Sequence, residues 1–297
     1  MYNLKTLLSI LICLIGSATF GQSNKEKRPN IIVILADDLG YGDVSSFNEE
    51  AAFQTPHIDQ LAENGIAFTH AYTTSSVCTP TRYGLLTGRY NWRSRLKQSV
   101  LSGFSKALIP PDRITVADVL RDQGYYTGFI GKWHLGWDWQ FEASPENIDK
   151  LNSRPKVDFS QPVKNGPEEL GFNYSYGFSG SLDMAPYVYV ENSTATVVPT
   201  ETSESKTSKG WWRKGLTSPD FVHQEVLPHL TKKAIGYINE QAGAGQPFFL
   251  YFALPAPHTP ILPSSEYIGK SNTNLYGDFV LQVDGVVGQI TQTLKEQ

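Results

Sequence analysis

The stretch Cys78-Thr-Pro-Thr-Arg82 holds the residue types and spacing with the clearest chemical potential in this sequence. Pro80 suits the first turn of a helix, which puts Cys78 at or near the positive N-terminal end of that helix. Arg82 lies four residues after Cys78, on the same helical face, and its guanidinium would point toward the same anion. The spacing therefore predicts a sulfur and a cationic side chain that face one anionic ligand.

Cysteine usage supports a chemical role for this stretch. The chain has two cysteines, and Cys13 lies within an apolar N-terminal run that is lost if the run is a secretory signal. Cys78 is then the only cysteine of the mature chain, so an intramolecular disulfide is impossible. A lone thiol in an exported protein indicates chemistry or intermolecular pairing, whereas a buried and inert cysteine is the alternative.

Other polar side chains that could act with Cys78 follow three predicted strands. They lie just beyond the apolar runs at residues 30–36, 125–130 and 248–254: Asp37 with Asp38, Lys132 with His134, and His258. Ligands of open α/β sheets bind beyond the carboxyl ends of the strands, so these groups can converge although they are far apart in sequence. Lys132 and His134, two residues apart on extended backbone, are expected to face the same side.

Asp37 and Asp38 offer two hard oxygen ligands at one strand end, as a site for Ca²⁺ or Mg²⁺ requires. Without a cation, each carboxylate would raise the pKa of the other. We therefore expect alanine at either position to remove the metal without unfolding the sheet. For an isolated pair of aspartates, a turn closed by Asx hydrogen bonds is the alternative interpretation.

The secondary-structure pattern alternates between strands and helices. Continuous apolar runs rich in β-branched or aromatic residues predict strands, and capped periodic segments predict helices. The predicted strands cover residues 30–36, 66–72, 125–130 and 248–254, and the predicted helices cover 55–62, 115–121, 228–241 and 276–294. Strands separated by helices predict an α/β fold whose mostly parallel sheet is flanked by helices on both faces.

Residues 137–220 interrupt this alternation. They are rich in aromatic residues and include a polar stretch at 191–210. We interpret them as insertions over the edge of the sheet rather than as a separate domain, and packing explains their rings more readily than stacking on sugars. Ser181 and Asp183 are the candidates in this segment for contact with a substrate.

The net charge and the N-terminal sequence limit the classes of protein to which this chain can belong. The formal net charge of −4 argues against a nucleic-acid-binding protein, which would carry a basic face. Residues 1–21 have the form of a secretory signal peptide, because Lys5 precedes an apolar run that is too short to span a membrane. A transmembrane anchor is the alternative interpretation of that run. We expect a secreted or periplasmic protein with no stable membrane anchor and no nucleic-acid partner.

The longer string Cys78-Thr-Pro-Thr-Arg-Tyr-Gly-Leu-Leu-Thr-Gly-Arg89 resembles the sulfatase signature. Three other stretches resemble further motifs of the family: Ala36-Asp-Asp-Leu-Gly-Tyr-Gly-Asp43, Gly131-Lys-Trp-His-Leu-Gly136 and Pro257-His-Thr-Pro260. The match is to the arylsulfatase A and N-acetylgalactosamine-6-sulfatase type and extends over nearly the whole mature chain. It implies an alkaline-phosphatase-like fold and hydrolysis of the sulfate esters of a carbohydrate.

The resemblance also implies two cofactors. In the family, the cysteine that corresponds to Cys78 is oxidised to formylglycine by a maturation enzyme, and its hydrated aldehyde attacks sulfur. A calcium ion would be held partly by Asp37 and Asp38 and by the matured residue at position 78.

The remaining residue roles follow from the same resemblance. Arg82 and Lys132 would balance the charge on the sulfate oxygens. His134 would act as the base that allows sulfate to be expelled, and His258 would protonate the leaving alcohol.

Part of the family pattern has no counterpart in this sequence. The remaining calcium ligands (an Asp-Asn pair), a second active-site lysine and the smaller C-terminal subdomain are absent from it. We therefore interpret residues 22–297 as the N-terminal portion of a sulfatase catalytic domain and expect this portion alone to have little activity. We also expect the apolar stripe from Tyr276 to Leu294 to lack the strands that it should cover. The alternatives are a phosphate- or phosphonate-ester hydrolase on the same fold and an inactive truncated remnant.

Overall fold

The computed structural model describes residues 28–297. The predicted signal peptide at residues 1–21 and Cys13 lie outside the described residues. Among residues 28–297, none of the helices combines the length and the apolar character that a membrane span needs.

The described residues form a six-stranded sheet and a separate two-stranded sheet. The strands are β1 (Ile31–Asp37), β2 (Tyr126–Lys132), β3 (Tyr174–Phe178), β4 (Val190–Glu191), β5 (Thr194–Ala195), β6 (Glu201–Ser205), β7 (Trp212–Thr217) and β8 (Phe248–Pro257). The main sheet has the order β1-β8-β2-β3-β4-β5, in which the first four strands are parallel and the last two are antiparallel. The predicted mostly parallel α/β sheet is confirmed.

Five α-helices accompany these strands: α1 (Pro56–Asn64), α2 (Cys78–Thr87), α3 (Val116–Asp122), α4 (Val226–Gly243) and α5 (Leu275–Lys295). Short 3₁₀ turns lie at Tyr41–Asp43, Ser45–Phe47, Asn91–Arg93, Glu168–Leu170 and His223–Glu225. Helix α4 packs on β2 and β8, α5 packs on β8 and on helices α1 and α4, and α3 packs on β2. The helices therefore flank the parallel strands, as the alternating pattern predicts.

Strand β8 forms the centre of the parallel part of the sheet. All ten of its residues are buried, which fits the unbroken apolar run from Phe248 onward. Its neighbours end near the same level, because Leu35 of β1 and Gly131 of β2 both pair with Ala253 and each of these strands ends within two further residues. The carboxyl ends of these strands therefore form one edge of the sheet, where the predicted site residues follow.

The predicted strand at residues 66–72 is wrong. These residues form an irregular, exposed segment, in which Ile66 is 78% and Tyr72 is 87% exposed. Their β-branched and aromatic residues suit a strand, but a strand also needs a neighbour to hydrogen-bond, and no strand within residues 28–297 pairs with them.

Residues 137–220 are more closely integrated than the predicted insertions. They contain β3, which pairs in parallel with β2 and so extends the main sheet, and they also contain the hairpin of β6 and β7. Trp137, Tyr176 and Tyr187 are at most 2% exposed, so their rings pack in the core. The hypothesis of insertions over the edge of the sheet is therefore wrong for β3, β4 and β5, which form that edge of the main sheet.

The C-terminal helix α5 also differs from expectation. Its apolar stripe is covered rather than left open, since Val280, Val283 and Ile290 are at most 1% exposed. The covering surface consists of β8, α1 and α4. The expected exposed apolar face on this helix is therefore wrong for the described chain.

Candidate active site

Three ionised side chains, which we call the buried cluster, join β1, β2 and α2. Asp37 is the last residue of β1, Lys132 is the last residue of β2, and Arg82 lies on α2. Lys132 Nζ donates to Asp37 Oδ2, and Arg82 Nη2 lies 3.3 Å from Asp37 Oδ1. Both cationic side chains are fully buried, and that of Asp37 is 4% exposed. The structure thus brings together three residues that are separated by up to 95 positions in sequence.

Local backbone geometry turns the end of β2 toward this cluster. Gly131 has a φ of +123°, and a Cβ atom at this position would lie 1.9 Å from the carbonyl oxygen of Ala253. Only glycine tolerates both the positive φ and the close approach to β8. This residue lets the strand bend directly before Lys132 while it remains paired on both sides.

The buried cluster carries a net positive charge. Burial opposes the ionisation of Asp37, but Lys132 and Arg82 outweigh it and hold the pKa of Asp37 well below its usual range. Burial likewise opposes the charge of Arg82, and Asp37 outweighs it and raises the pKa of that guanidinium. Two cations against one carboxylate leave an excess positive charge, which favours an anion beside the cluster.

Cys78 opens α2 and lines the cavity next to the buried cluster. The cavity has a volume of about 260 Å³, and Asp37, Asp38 and Arg82 also line it. Cys78 is partly buried, and the apolar side chain of Val77 cannot cap the helix that begins here. The positive end of the helix therefore adds to the field that an anion would meet.

His134 is held close to the cluster, but not in the way that the sequence predicts. Strand β2 ends at Lys132, and His134 has a left-handed φ of 52°, so the expected same-side alternation along a strand is wrong. His134 Nε2 lies 2.9 Å from the carbonyl of Leu101 and its own carbonyl accepts a hydrogen bond from Thr79. The sequence carries no signal for the Leu101 contact, because it comes from an irregular loop.

The tautomer of His134 follows from that contact. A carbonyl can only accept, so Nε2 carries the proton and Nδ1 is an acceptor. Nδ1 is buried and has no hydrogen-bond partner among residues 28–297. Burial, together with the nearby Lys132 charge, lowers the pKa of His134 to about 3. The ring is therefore a neutral acceptor at physiological pH.

His258 reaches the site from the end of β8. Its Nε2 lies 3.6 Å from Asp38 Oδ2, and its Nδ1 lies 3.5 Å from Ser181 Oγ. The side chain of Asp38 is 53% exposed, in contrast to the buried Asp37. His258 and Asp38 therefore form the solvent-facing side of the site.

Ser181 and Asp183 differ in their relation to the site. Ser181 is buried and accepts a hydrogen bond of 3.0 Å from Lys132 Nζ, so it belongs to the inner part of the site. Asp183 forms an ion pair with Arg213 instead. The sequence predicts Ser181 only as a contact for a substrate; its place beside Lys132 depends on β3, whose carboxyl end it follows and which is not among the predicted strands.

The predicted metal site stays a prediction. Asp37 and Asp38 line the same cavity as Cys78, but both carboxylate oxygens of Asp37 face the cations of Lys132 and Arg82. Within residues 28–297, no group of three or more His, Cys, Asp and Glu side chains is arranged to hold a metal ion. Because calcium takes about six to eight oxygen ligands, the described residues form at most part of a calcium site.

Comparison with known proteins gives one family. The family model described as Sulfatase matches residues 29–297. An N-acetylgalactosamine-6-O-sulfatase of Bacteroides thetaiotaomicron is 33% identical over 92% of this chain and 56% of its own length. Arylsulfatase A of Bos taurus is 34% identical over 88% of this chain and 48% of its own length. The chain thus spans about half the length of the curated relatives that it matches.

Solved structures agree with this result. A Bacteroides thetaiotaomicron structure described in connection with glycosaminoglycan metabolism has a TM-score of 0.77 at 31% identity, covering 91% of this chain and 60% of that one. A structure in complex with k-i-k-neocarrahexaose has a TM-score of 0.65 at 26% identity and covers 91% of this chain and 55% of that one. A phosphonate monoester hydrolase of Agrobacterium radiobacter, at 18% identity and a TM-score of 0.54, shares the fold alone.

Proposed function

The chain belongs to the sulfatase family, and on that premise we propose that the buried cluster and Cys78 form a site for hydrolysing the sulfate esters of a carbohydrate. The observation that carries the proposal is the excess positive charge of the buried cluster, beside a cavity lined by Cys78. A sulfate ester is an anion of a size that such a cavity can accept. The similarity to an N-acetylgalactosamine-6-O-sulfatase and to a structure in complex with k-i-k-neocarrahexaose supports the carbohydrate part of the proposal.

Arg82 and Lys132 are the residues that we assign to sulfate binding. Asp37 positions both, since each of its carboxylate oxygens faces one of the two cations. Charge that develops on sulfate oxygens during S–O cleavage would be stabilised by these fixed cations, which need no reorganisation in a buried site. Ser181 fixes Lys132 further through its hydroxyl.

Proton transfers are assigned to the two histidines. His134 Nδ1 has no hydrogen-bond partner among residues 28–297, so we assign it to accept a proton from a group at position 78; burial lowers the pKa of the ring, which makes it a weak base before charge develops in the reaction. His258 is partly exposed and pairs with Asp38, so it is suited to donate a proton to the departing sugar hydroxyl on the solvent side.

We further propose that Cys78 is converted to formylglycine by a maturation enzyme. Its position supports this, because the side chain is accessible from the cavity, at the first residue of α2 and next to the cations. The modified residue would supply a hydrated aldehyde as nucleophile.

Calcium is the second proposed cofactor, with Asp38 as its accessible ligand and Asp37 as a shared one. The bound ion would supply further positive charge beside the buried cluster. We propose export to the periplasm or the medium on the basis of the apolar N-terminal run, which sequencing of the mature N-terminus would test.

The reaction is tested by comparing aryl sulfate, aryl phosphate and aryl phosphonate as substrates, followed by sulfated and desulfated oligosaccharides. We expect turnover of the sulfate esters to exceed that of the phosphorus esters. Preferential turnover of a phosphate or phosphonate ester would reject the sulfatase proposal in favour of the alternative reaction. A natural substrate is identified by release of inorganic sulfate from one polysaccharide class.

A further inference from the structure

A groove on the molecule lies far from the candidate active site. Helix α4 forms one wall of it and the starts of β2 and β3 form the other, and its volume is about 570 Å³. Tyr126 opens β2 and Lys132 ends it, so the groove and the buried cluster are separated by about 20 Å along that strand. The groove size falls within the range of about 300–1,000 Å³ that is usual for small-molecule sites.

Three tyrosine rings form the inner surface, so we call this feature the tyrosine groove. The ring of Tyr237 stacks on that of Tyr174 with centroids 6.0 Å apart and lies 6.1 Å from that of Tyr126. The hydroxyl of Tyr237 donates to the carbonyls of Tyr126 and Phe249, which fixes its ring. Tyr237 is only 4% exposed and so supports the half-buried rings of Tyr126 and Tyr174, which supply the accessible aromatic surface. This surface is rigid before any ligand arrives, which lowers the entropic cost of binding.

The polar groups of the tyrosine groove are already arranged to offer both donors and acceptors. Glu191 accepts a hydrogen bond of 2.7 Å from the Tyr174 hydroxyl, and Lys233 Nζ lies 3.6 Å from the same carboxylate. Glu240 and Lys232 also line the groove, so its two lysines face two glutamates. Such a balanced set does not select an anion or a cation.

His229 adds no charge to this balance. Its Nε2 contacts the hydroxyl of Tyr176 at 2.7 Å. Burial, helped by the nearby Lys233, lowers the pKa of His229. The lowered pKa disfavours a charged imidazole, so the charges of the two lysines and the two glutamates remain balanced around the aromatic rings.

Gly236 keeps the groove open at its centre. A glycine inside a helix costs about 1 kcal/mol relative to alanine, so it usually has a packing reason. Gly285 and Gly288 of α5 have one, because a Cβ atom would meet Tyr267 or His57. A Cβ atom at Gly236 would meet nothing within 4 Å among the described residues. The space above Gly236 is thus left free by the chain itself.

We infer that the tyrosine groove is a second carbohydrate-binding site, which takes an uncharged sugar ring of an oligosaccharide. A pyranose has an apolar C–H face that can lie on a tyrosine ring, and hydroxyls that both donate to glutamate and accept from lysine. The balanced charges of the groove favour an unsulfated ring. The inference rests on the groove alone, whereas the idea that this ring belongs to the polysaccharide substrate rests on the proposed function.

Binding is tested with neutral oligosaccharides of galactose, glucose or mannose, by saturation-transfer NMR with the full chain. We expect at least one to bind, and Gly236→Gln to weaken that binding at least about tenfold, since 1.4 kcal/mol of lost contact corresponds to a tenfold change. Glutamine is a good helix former, so this variant should fold at least as well as the parent. Gly243→Gln is the matched control, because Gly243 ends the same helix, lies outside the groove and also has free space.

Two results would overturn the inference: no binding of any neutral oligosaccharide by the parent chain, or equal binding by the Gly236→Gln and Gly243→Gln variants. Stronger binding of a sulfated oligosaccharide that Gly236→Gln abolishes would also contradict a site for an uncharged ring. Aryl sulfate turnover is measured on the same preparations and should be unchanged in Gly236→Gln. Because binding is read separately from turnover, failure of the groove and failure of the proposed reaction are distinguishable.

Discussion

Lys132 and Asp37 form an ion pair across a strand that belongs to neither of them. Lys132 ends β2 and Asp37 ends β1, and β8 lies between these two strands in the sheet. The two side chains therefore meet above the end of β8, where Arg82 joins them from α2. This arrangement fixes two cations at the edge of the sheet where the cavity of Cys78 opens.

Replacement of Lys132 by methionine should remove most activity and some stability. Asp37 would retain only Arg82 as a partner, and breaking a buried pair typically costs about 3–5 kcal/mol. Loss of one fixed charge at the transition state typically lowers kcat by about a hundred- to a thousand-fold. Aryl sulfate kinetics and urea unfolding measure the two effects. Lys206→Met, at an exposed pair with Glu204, should change neither, and equal effects of the two variants would contradict the cluster's role.

Alanine at Asp37 and at Asp38 should have different consequences. Asp37→Ala leaves Lys132 and Arg82 buried without a counter-charge and should cost several kcal/mol, on the order of 3–5. Asp38 is 53% exposed, so Asp38→Ala should preserve the fold while it weakens calcium binding. This revises the expectation from sequence that both variants keep the sheet folded. Isothermal titration with Ca²⁺ and urea unfolding separate the effects, and equal destabilisation by the two variants would contradict the account.

The strands and the meeting of their ends could be predicted from sequence because both depend on local patterns. The apolar runs of β1 and β8 identify buried strands, and the strand-end rule places Asp37 near Lys132. The ion pair that neutralises Asp37 could not be predicted, because it depends on side-chain positions across three elements. Residues 66–72 are predicted as a strand but do not form one. A strand requires a neighbouring strand to pair with, and the local sequence does not show whether such a neighbour is present.

His223 should make the stability of the chain depend on pH. Burial lowers the pKa of His223 to about 4, whereas an unfolded histidine has a pKa of about 6.5. Between these values the unfolded chain binds more protons, so the free energy of unfolding falls as the pH falls from 6.5 toward 4. The loss should be roughly 2–3 kcal/mol.

The matching variant is His223→Phe, which keeps an aromatic ring stacked on Trp212 and removes the titration. Urea unfolding at several pH values between 4 and 7 gives the free energy of unfolding as a function of pH. Its slope should be smaller for this variant than for the parent. His70→Phe, at an exposed position, is the control and should leave the slope as it is. An identical slope in the parent and in His223→Phe would show that His223 is not buried as described.

Gly288→Ala should loosen the packing of α5 on α1. The added methyl would lie 2.7 Å from the ring of His57, so the helices must separate or the ring must move. Overpacking of this kind typically costs about 1–3 kcal/mol. Gly236→Ala, where the methyl meets nothing, should instead raise the free energy of unfolding by up to about 1 kcal/mol. Thermal or urea unfolding measures the stability of both variants. A Gly288→Ala variant that is more stable than the parent would refute the close approach of α5 to the ring of His57.

The chemical state of residue 78 tests the central claim most directly. The protein is expressed from its complete gene in a host that has a formylglycine-generating enzyme, its aryl sulfate turnover is measured, and the peptide that contains Cys78 is examined by mass spectrometry. We predict that oxygen replaces sulfur at Cys78 in active preparations, and that Cys78→Ala abolishes turnover without loss of stability. An unmodified thiol at Cys78 in a preparation that hydrolyses aryl sulfate would contradict the account.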